Sequence, residues 1–480
     1  MRSWFESLRG SSRTRSPRRS CSVRLQLEEL EGRIVPATTF IQTNLVSDQP
    51  GVAAIQDPNL VNAWGIAIGP VTAWVSANGN DVSTVYAGQT SNFHNTGLVV
   101  SIPGGAPTGQ VFNPTKDFVV SDGNGHSGPA AFIFASENGT ISGWNPRVPP
   151  PPPSTQAQLG TSVDTAVFKG IALANNGSGN FLYATDFHNN QIDVFDSHFQ
   201  KTTLDGNFRD PSLPKGYAPF NIAAINGKLF VTYALQDATA HDDVAGVSHG
   251  FIDVFDTNGH LMQRFAQHGP LDSPWGLALA PSNFGDFSND LLVGNFGNGH
   301  ILAYNPDSGE FLGFLHSNAG PPLTIDGLWG LAFGNGTTVG QTNQLFFSAG
   351  PNDEAHGLFG VLDAVSGSSG DVARSTTAGI TAKAPAGTPT HGLTNAAGNT
   401  TAGITASGLG TQLSTSAGTA ALQAAGTAAT TTPPPPAVAA VDRLFLAIGK
   451  ASDLGSFIAP KPKAPGAAAF DDLDSFPANL

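Results

Sequence analysis

Cysteine is nearly absent. Cys21 is the only one in 480 residues, which excludes a disulfide framework and a cluster of thiolate metal ligands. No apolar run precedes it, so it does not read as a lipid-modified cysteine. No stretch approaches the roughly 20 apolar residues needed to span a bilayer, and no transmembrane segment is expected. Charged residues make up only 12% of the chain, and many of the positive ones crowd into its first part: Arg2, Arg9, Arg13, Arg15, Arg18, Arg19, Arg24 and Arg33. The remainder is markedly acidic within a formal net charge of -14. Nucleic acid and anionic membranes are therefore poor partners for the folded part, and cations are better ones. The words Gly-x-Ser-x-Gly, His-Glu-x-x-His and Cys-x-x-Cys do not occur. No Ser and His are joined by a recognisable third member, so nucleophilic hydrolysis has no warrant in the sequence.

What the chain does have is glycine and proline, 57 and 35 of them, which suits many short strands joined by turns. One word recurs: WGIAIG at Trp64, KGIALA at Lys169, WGLALA at Trp275 and WGLAFG at Trp329, with degenerate forms PAAFIFA at Pro129 and FNIAAI at Phe220. From Gly170 onward the copies are spaced by roughly 50 to 55 residues, the length a four-stranded blade needs. A strand built of Gly, Ala and aliphatic residues fits a crowded axis, where small residues let backbones approach. Each word is followed by a second apolar strand, a polar turn and a third strand, as in FLYATDFHNNQIDVFDS. The fold class expected is therefore all-β, a single six-bladed propeller over residues 38–365. The leftover strand at Phe40 to Asp48 is expected to pair with the last blade and close the ring. The tryptophans of the word read as packing groups, with stacking against a sugar as the alternative.

The flanks read differently. Residues 1–37 carry the arginines of a signal n-region without its apolar core, so no ordinary signal peptide is visible. LEELEGRIVPA at Leu27 nevertheless resembles the leader of planctomycete-type surface proteins, which implies export; the other reading of this segment is a short amphipathic helix. Residues 366–436, rich in Ala, Gly, Thr and Pro, read as a linker. Residues 437–480 form a tail with one possible short helix at 437–450.

The segments NLVSDQPGVAAIQDPNLVNAWGIA, PKGYAPFNIAAINGKLFVTYALQDATAHDDVAG and SPWGLALAPSNFGDFSNDLLVGNFGNGHILAYNP together resemble an uncharacterised bacterial family of predicted six-bladed propellers. That family is NHL-like and often found in exported proteins carrying a C-terminal Pro-Glu-Pro sorting signal. The resemblance implies a propeller and an exported or cell-surface setting, and it implies no assigned activity. The chain departs from the family in having no Pro-Glu-Pro word.

Turns before the inner strands and after the second strands should share one face. They supply Glu137, Asp186, His188, Asp237, Asn295, Asp326 and Asn352, with Asn78, Asn221 and Asp353 beside them. Oxygens converging on an axis suit Ca2+ or another divalent cation, yet Asp and Asn also make such turns with no ligand at all. A second candidate cation site is the insertion QDATAHDDVAGVSHG, through His241, Asp242 and Asp243. The function expected is a noncatalytic binding or scaffold module, not an enzyme, that is monomeric and presents its polar face to a protein or glycan. The alternative is a cation-dependent hydrolase of lactonase type.

Overall fold

The computed structural model describes residues 38–318 and 320–366; the leader, linker and tail lie outside them. Six antiparallel sheets surround an axis. Their inner strands are Ala63–Ile68, Pro107–Phe112, Phe168–Asn175, Tyr217–Ile225, Pro274–Leu279 and Leu328–Phe333, for blades one to six. Each is followed outward by three more strands, with a short fifth, Ile55–Gln56, at the edge of blade six, so the architecture is a six-bladed propeller. Among the described residues the only helices are three single 3-10 turns, and no helix is long and apolar enough to cross a membrane.

The ring closes as the leftover strand suggested. Thr38–Ser47 is the fourth strand of blade six, antiparallel to Leu358–Ser366 from the pairing of Thr38 with Ser366 to that of Ser47 with Leu358. Joining the first propeller strand to the last in one sheet covers the edge that an incomplete blade would leave. Phe40 anchors the strand against Phe284 of blade five, ring centroids 5.1 Å apart. Between blades one and two the packing is also aromatic, Trp74 stacking on Phe132 at 4.3 Å.

Glycine in the repeated word answers to backbone approach at the axis. A Cβ on Gly65 would lie 2.4 Å from the Thr108 carbonyl oxygen, and one on Gly330 would lie 2.8 Å from that of Trp64. Neither neighbour is a side chain that could swing away.

Blade two corrects one expectation. PAAFIFA supplies its second strand, Phe132–Ser136, while the inner strand is PTGQVF, Pro107–Phe112. A small hairpin, Val119–Ser121 with Ser127–Pro129, is inserted between them. The inner strand escaped notice because Thr108 stands in place of the tryptophan and Gln110 in place of an aliphatic residue. Gln110 is buried all the same: its amide donates to the carbonyls of Gly65 and Trp74, both at 2.7 Å. Blade one is thus bridged by hydrogen bonds where an aliphatic side chain would only pack.

Candidate functional site

All six inner strands run away from the same face of the ring, so the residues just before the word's glycine form one layer: Trp64, Thr108, Lys169, Phe220, Trp275 and Trp329. The three tryptophans are buried at 2%, 5% and 1% exposure. Trp329 stacks on Trp64 at 3.7 Å and on Phe296 at 3.8 Å, and Trp275 meets it edge-on at 5.8 Å. They pack on the axis itself, where they make a plug; no open platform for a sugar remains on Trp329, whose two faces are both covered.

Lys169 is the exception in this layer. Its side chain is only 2% exposed, and its ammonium lies 5.2 Å from the Trp64 ring centroid. It donates to Glu137 Oε1 at 2.5 Å and to Asp242 Oδ1 at 3.0 Å. Burial alone would pull the lysine down. The charges of Glu137 and Asp242, with their hydrogen bonds, outweigh it and hold the group above its ordinary value, so it is charged at neutral pH. Burial would likewise raise Asp242, but Lys169 and His241 keep it below the usual carboxylate range.

The network continues towards blade six. Asn78 Nδ2 donates to Glu137 Oε2 at 2.9 Å, and Asn62 Nδ2 lies 3.3 Å from Asn78 Oδ1 and 2.5 Å from Glu354 Oε2. Asn62 Oδ1 accepts from the Trp329 indole at 3.1 Å, which ties the polar layer to the aromatic plug. Glu354 follows Asn352 and Asp353 in a run of three residues with φ of 60°, 51° and 62°. Left-handed backbone is unfavourable for residues with a Cβ, and the network at the axis holds this turn.

Burial pushes the Glu354 carboxyl up to about 7, assisted by Glu137 and Asp242 and opposed by Lys169 and the Asn62 amide. A carboxyl raised on folding keeps its proton longer in the folded chain than in the unfolded one. Its contribution is therefore lost as pH rises from the unfolded value near 4.5 through about 7. Replacing Glu354 with Gln retains a hydrogen-bond acceptor for Asn62 and removes the titration. Urea unfolding from pH 5 to pH 8 is expected to show the parent losing roughly 2 kcal/mol relative to Glu354→Gln, after allowance for partial exposure. Parallel curves would contradict this.

The expected site residues separate into two groups. Glu137 from the first set comes together with His241 and Asp242 from the second, one ligand-capable atom of each lying within 4.8 Å of the others. The loop that carries Asp242 is built by Asp237, which accepts the backbone N–H of Thr239, His241 and Asp242 and the Thr239 hydroxyl. Asp243 sits beside it with one carboxylate oxygen buried and unpartnered among the described residues, and burial raises it to about 6. The others do not reach the cluster. Asp186 is buried and binds Asn189 and the Val167 amide within its own blade. The Asn295 amide donates to the Pro270 carbonyl at 2.8 Å. Asp326 accepts from the backbone N–H of Asn352 at 2.8 Å. Exposed His188 meets the Ala240 carbonyl at 3.3 Å.

Whether a divalent ion fits is decided by Lys169. Its ammonium touches both carboxylates that would have to share the ion, so the position between them is taken by a cation the chain itself supplies. Lys169, Asn62 and Glu354 were not among the residues expected at the site. The lysine had a signal in the sequence, since it occupies the tryptophan position of the word. Beside the cluster lies a surface pocket of about 630 Å³ lined by Glu137, Asn138, Thr165, His188, Thr239 and His241, among others.

Fold and site define a six-bladed propeller with an aromatic axial plug and an internal lysine. The chain belongs to the family of the uncharacterized proteins R648 and L690 of Acanthamoeba polyphaga mimivirus. It is 33% identical to R648 over 332 residues, covering 68% of this chain and 80% of that one, and 33% identical to L690, covering 66% and 84%. These relatives are viral and lend no support to a bacterial family, its Pro-Glu-Pro sorting or the leader. No protein-family model matches. Among solved structures, a streptogramin B lyase is similar over 68% of this chain and 98% of its own, at 11% identity and a TM-score of 0.38. A putative gluconolactonase is similar over 54% and 88%, at 14% identity and a TM-score of 0.35.

Proposed function

We propose that the chain is an exported or cell-surface binding module without catalytic activity, acting as a monomer and presenting the pocket beside Lys169 to a protein or glycan. The observation that carries this reading is the Lys169 ammonium seated between Glu137 and Asp242. A metal-dependent hydrolase needs an ion with an open position to activate water, and here the shared carboxylates are already satisfied by the lysine. The imidazoles of His188 and His241, the hydroxyls of Thr165 and Thr239 and the Glu137 carboxylate offer donors and acceptors of the kind sugar hydroxyls use. The hydrolase reading keeps one observation in its favour, the convergence of Glu137, His241 and Asp242, and it requires the lysine to leave.

The test is an assay of the full chain against lactones and esters with Ca2+, Mn2+ or Zn2+ added, alongside a glycan array. The module reading expects no ion-dependent turnover, and glycan binding that His241→Ala weakens. Turnover that requires both an added ion and Glu137 would establish the hydrolase instead.

A further inference from the structure

Below the tryptophan layer the axis is hollow. A cavity of about 520 Å³ is lined by all six inner strands, from the word's glycine level to the strand ends. Aliphatic side chains, including Ile66, Ile68, Ile171, Leu173 and Leu331, line it together with polar groups, and Trp275 lies at the closed end. The opposite end reaches the face away from Lys169, where the lining residues Asn175, Ala224 and Pro114 are exposed. Its volume lies within the roughly 300–1,000 Å³ of small-molecule sites.

Two polar side chains reach this wall at depth, Asn221 and Gln110. Where blades one, two, three, five and six have Gly65, Gly109, Gly170, Gly276 and Gly330, blade four has Asn221, only 7% exposed and part of the cavity lining. Its Nδ2 donates to the Trp275 carbonyl at 2.7 Å. Its side-chain oxygen accepts no hydrogen bond from any described residue. The other deep polar side chain, Gln110, is fully engaged, since its amide donates twice and its oxygen accepts from Ser83. Among the side chains at its inner end the cavity thus offers one free acceptor, Asn221 Oδ1, poised for a single donor.

We propose that this axial cavity is a binding site for a small, uncharged aliphatic molecule carrying one hydroxyl group, which enters from the face opposite Lys169 and donates its hydroxyl hydrogen to Asn221 Oδ1. A carboxylate is disfavoured there, because it would bring a second acceptor against the Asn221 oxygen. The site is independent of the pocket beside Lys169, on the other side of the tryptophan layer, so either reading can fail without the other.

The probes are n-octanol and its isomer heptyl methyl ether, which has the same atoms and no donor. Titration into the full chain, followed by tryptophan fluorescence and calorimetry, is expected to show saturable sub-millimolar binding of octanol and about tenfold weaker binding of the ether, one hydrogen bond's difference. Asn221→Gly, which installs the residue of the other five blades, should bring octanol down to the affinity of the ether. Ala224→Trp, at the exposed mouth, should abolish binding of both with the circular dichroism unchanged. The octanol and ether comparison on the parent needs no variant, so it holds even if Asn221→Gly does not fold. Absence of saturation, equal affinity for the two isomers, or octanol binding undiminished in folded Ala224→Trp would overturn the proposal.

Discussion

Replacing Lys169 with Met is expected to lower stability at pH 7 by about 3 kcal/mol, the lower end of the cost of removing one partner from a buried ion pair. Methionine fills most of the same volume, so the loss is electrostatic. Glu137, whose side chain is 13% exposed, would be left without its counter-charge, while Asp242, 65% exposed, can turn to water, which is why the higher end is not expected. The corresponding fall in melting temperature is roughly 4–6 °C for a domain of this size. Glu354 would also lose the positive charge that holds it down, so its titration should move further above about 7. Thermal melts of parent and variant over a pH series measure both effects. A neutral outcome would mean that the lysine is a solvated surface charge.

Trp329→Ala is expected to cost about 3–5 kcal/mol, as for other large aromatic truncations in packed interiors. The indole is covered on one face by Trp64 and on the other by Phe296, and its N–H holds Asn62. Truncation opens a void on the axis and frees the amide that positions Glu354. The Asn62 amide opposes the upward shift of Glu354, so its loosening should raise that carboxyl further and steepen the pH dependence assigned to it. If the tryptophan served as a stacking surface for a sugar, truncation would instead abolish glycan binding with little change in stability. Denaturant unfolding and glycan binding on the same samples separate these outcomes.

The propeller was legible because its repeat answers a steric requirement: where inner strands meet at the axis, glycine recurs in five blades, and Asn221 takes its place in blade four. The inner strand of blade two was misplaced because Thr108 and Gln110 flank its Gly109 and use hydrogen bonds, which leave no apolar word behind. The closing strand at Thr38–Ser47 was legible as a strand pattern with no blade of its own. The site was legible in pieces. Glu137, His241 and Asp242 were each singled out, but the loop geometry set by Asp237 is what delivers Asp242 to Glu137 across a hundred residues of chain. Lys169 stood in plain view as a departure from the word. Its meaning depended on knowing that this position faces the axis beneath two carboxylates from other blades. Glu354 gave no signal beyond following Asn352 and Asp353, since its inward direction comes from three left-handed residues in a row.

The central claim is that Lys169 serves as the built-in cation of the Glu137–Asp242 site. Calorimetric titration of Zn2+ and Ca2+ into the parent and into Lys169→Met tests it most directly. The account predicts no tight site in the parent and a new zinc site in the variant, formed by Glu137, His241 and Asp242 and removed again by adding Glu137→Gln. Tight binding of either ion to the parent, or a variant that binds neither, would contradict it.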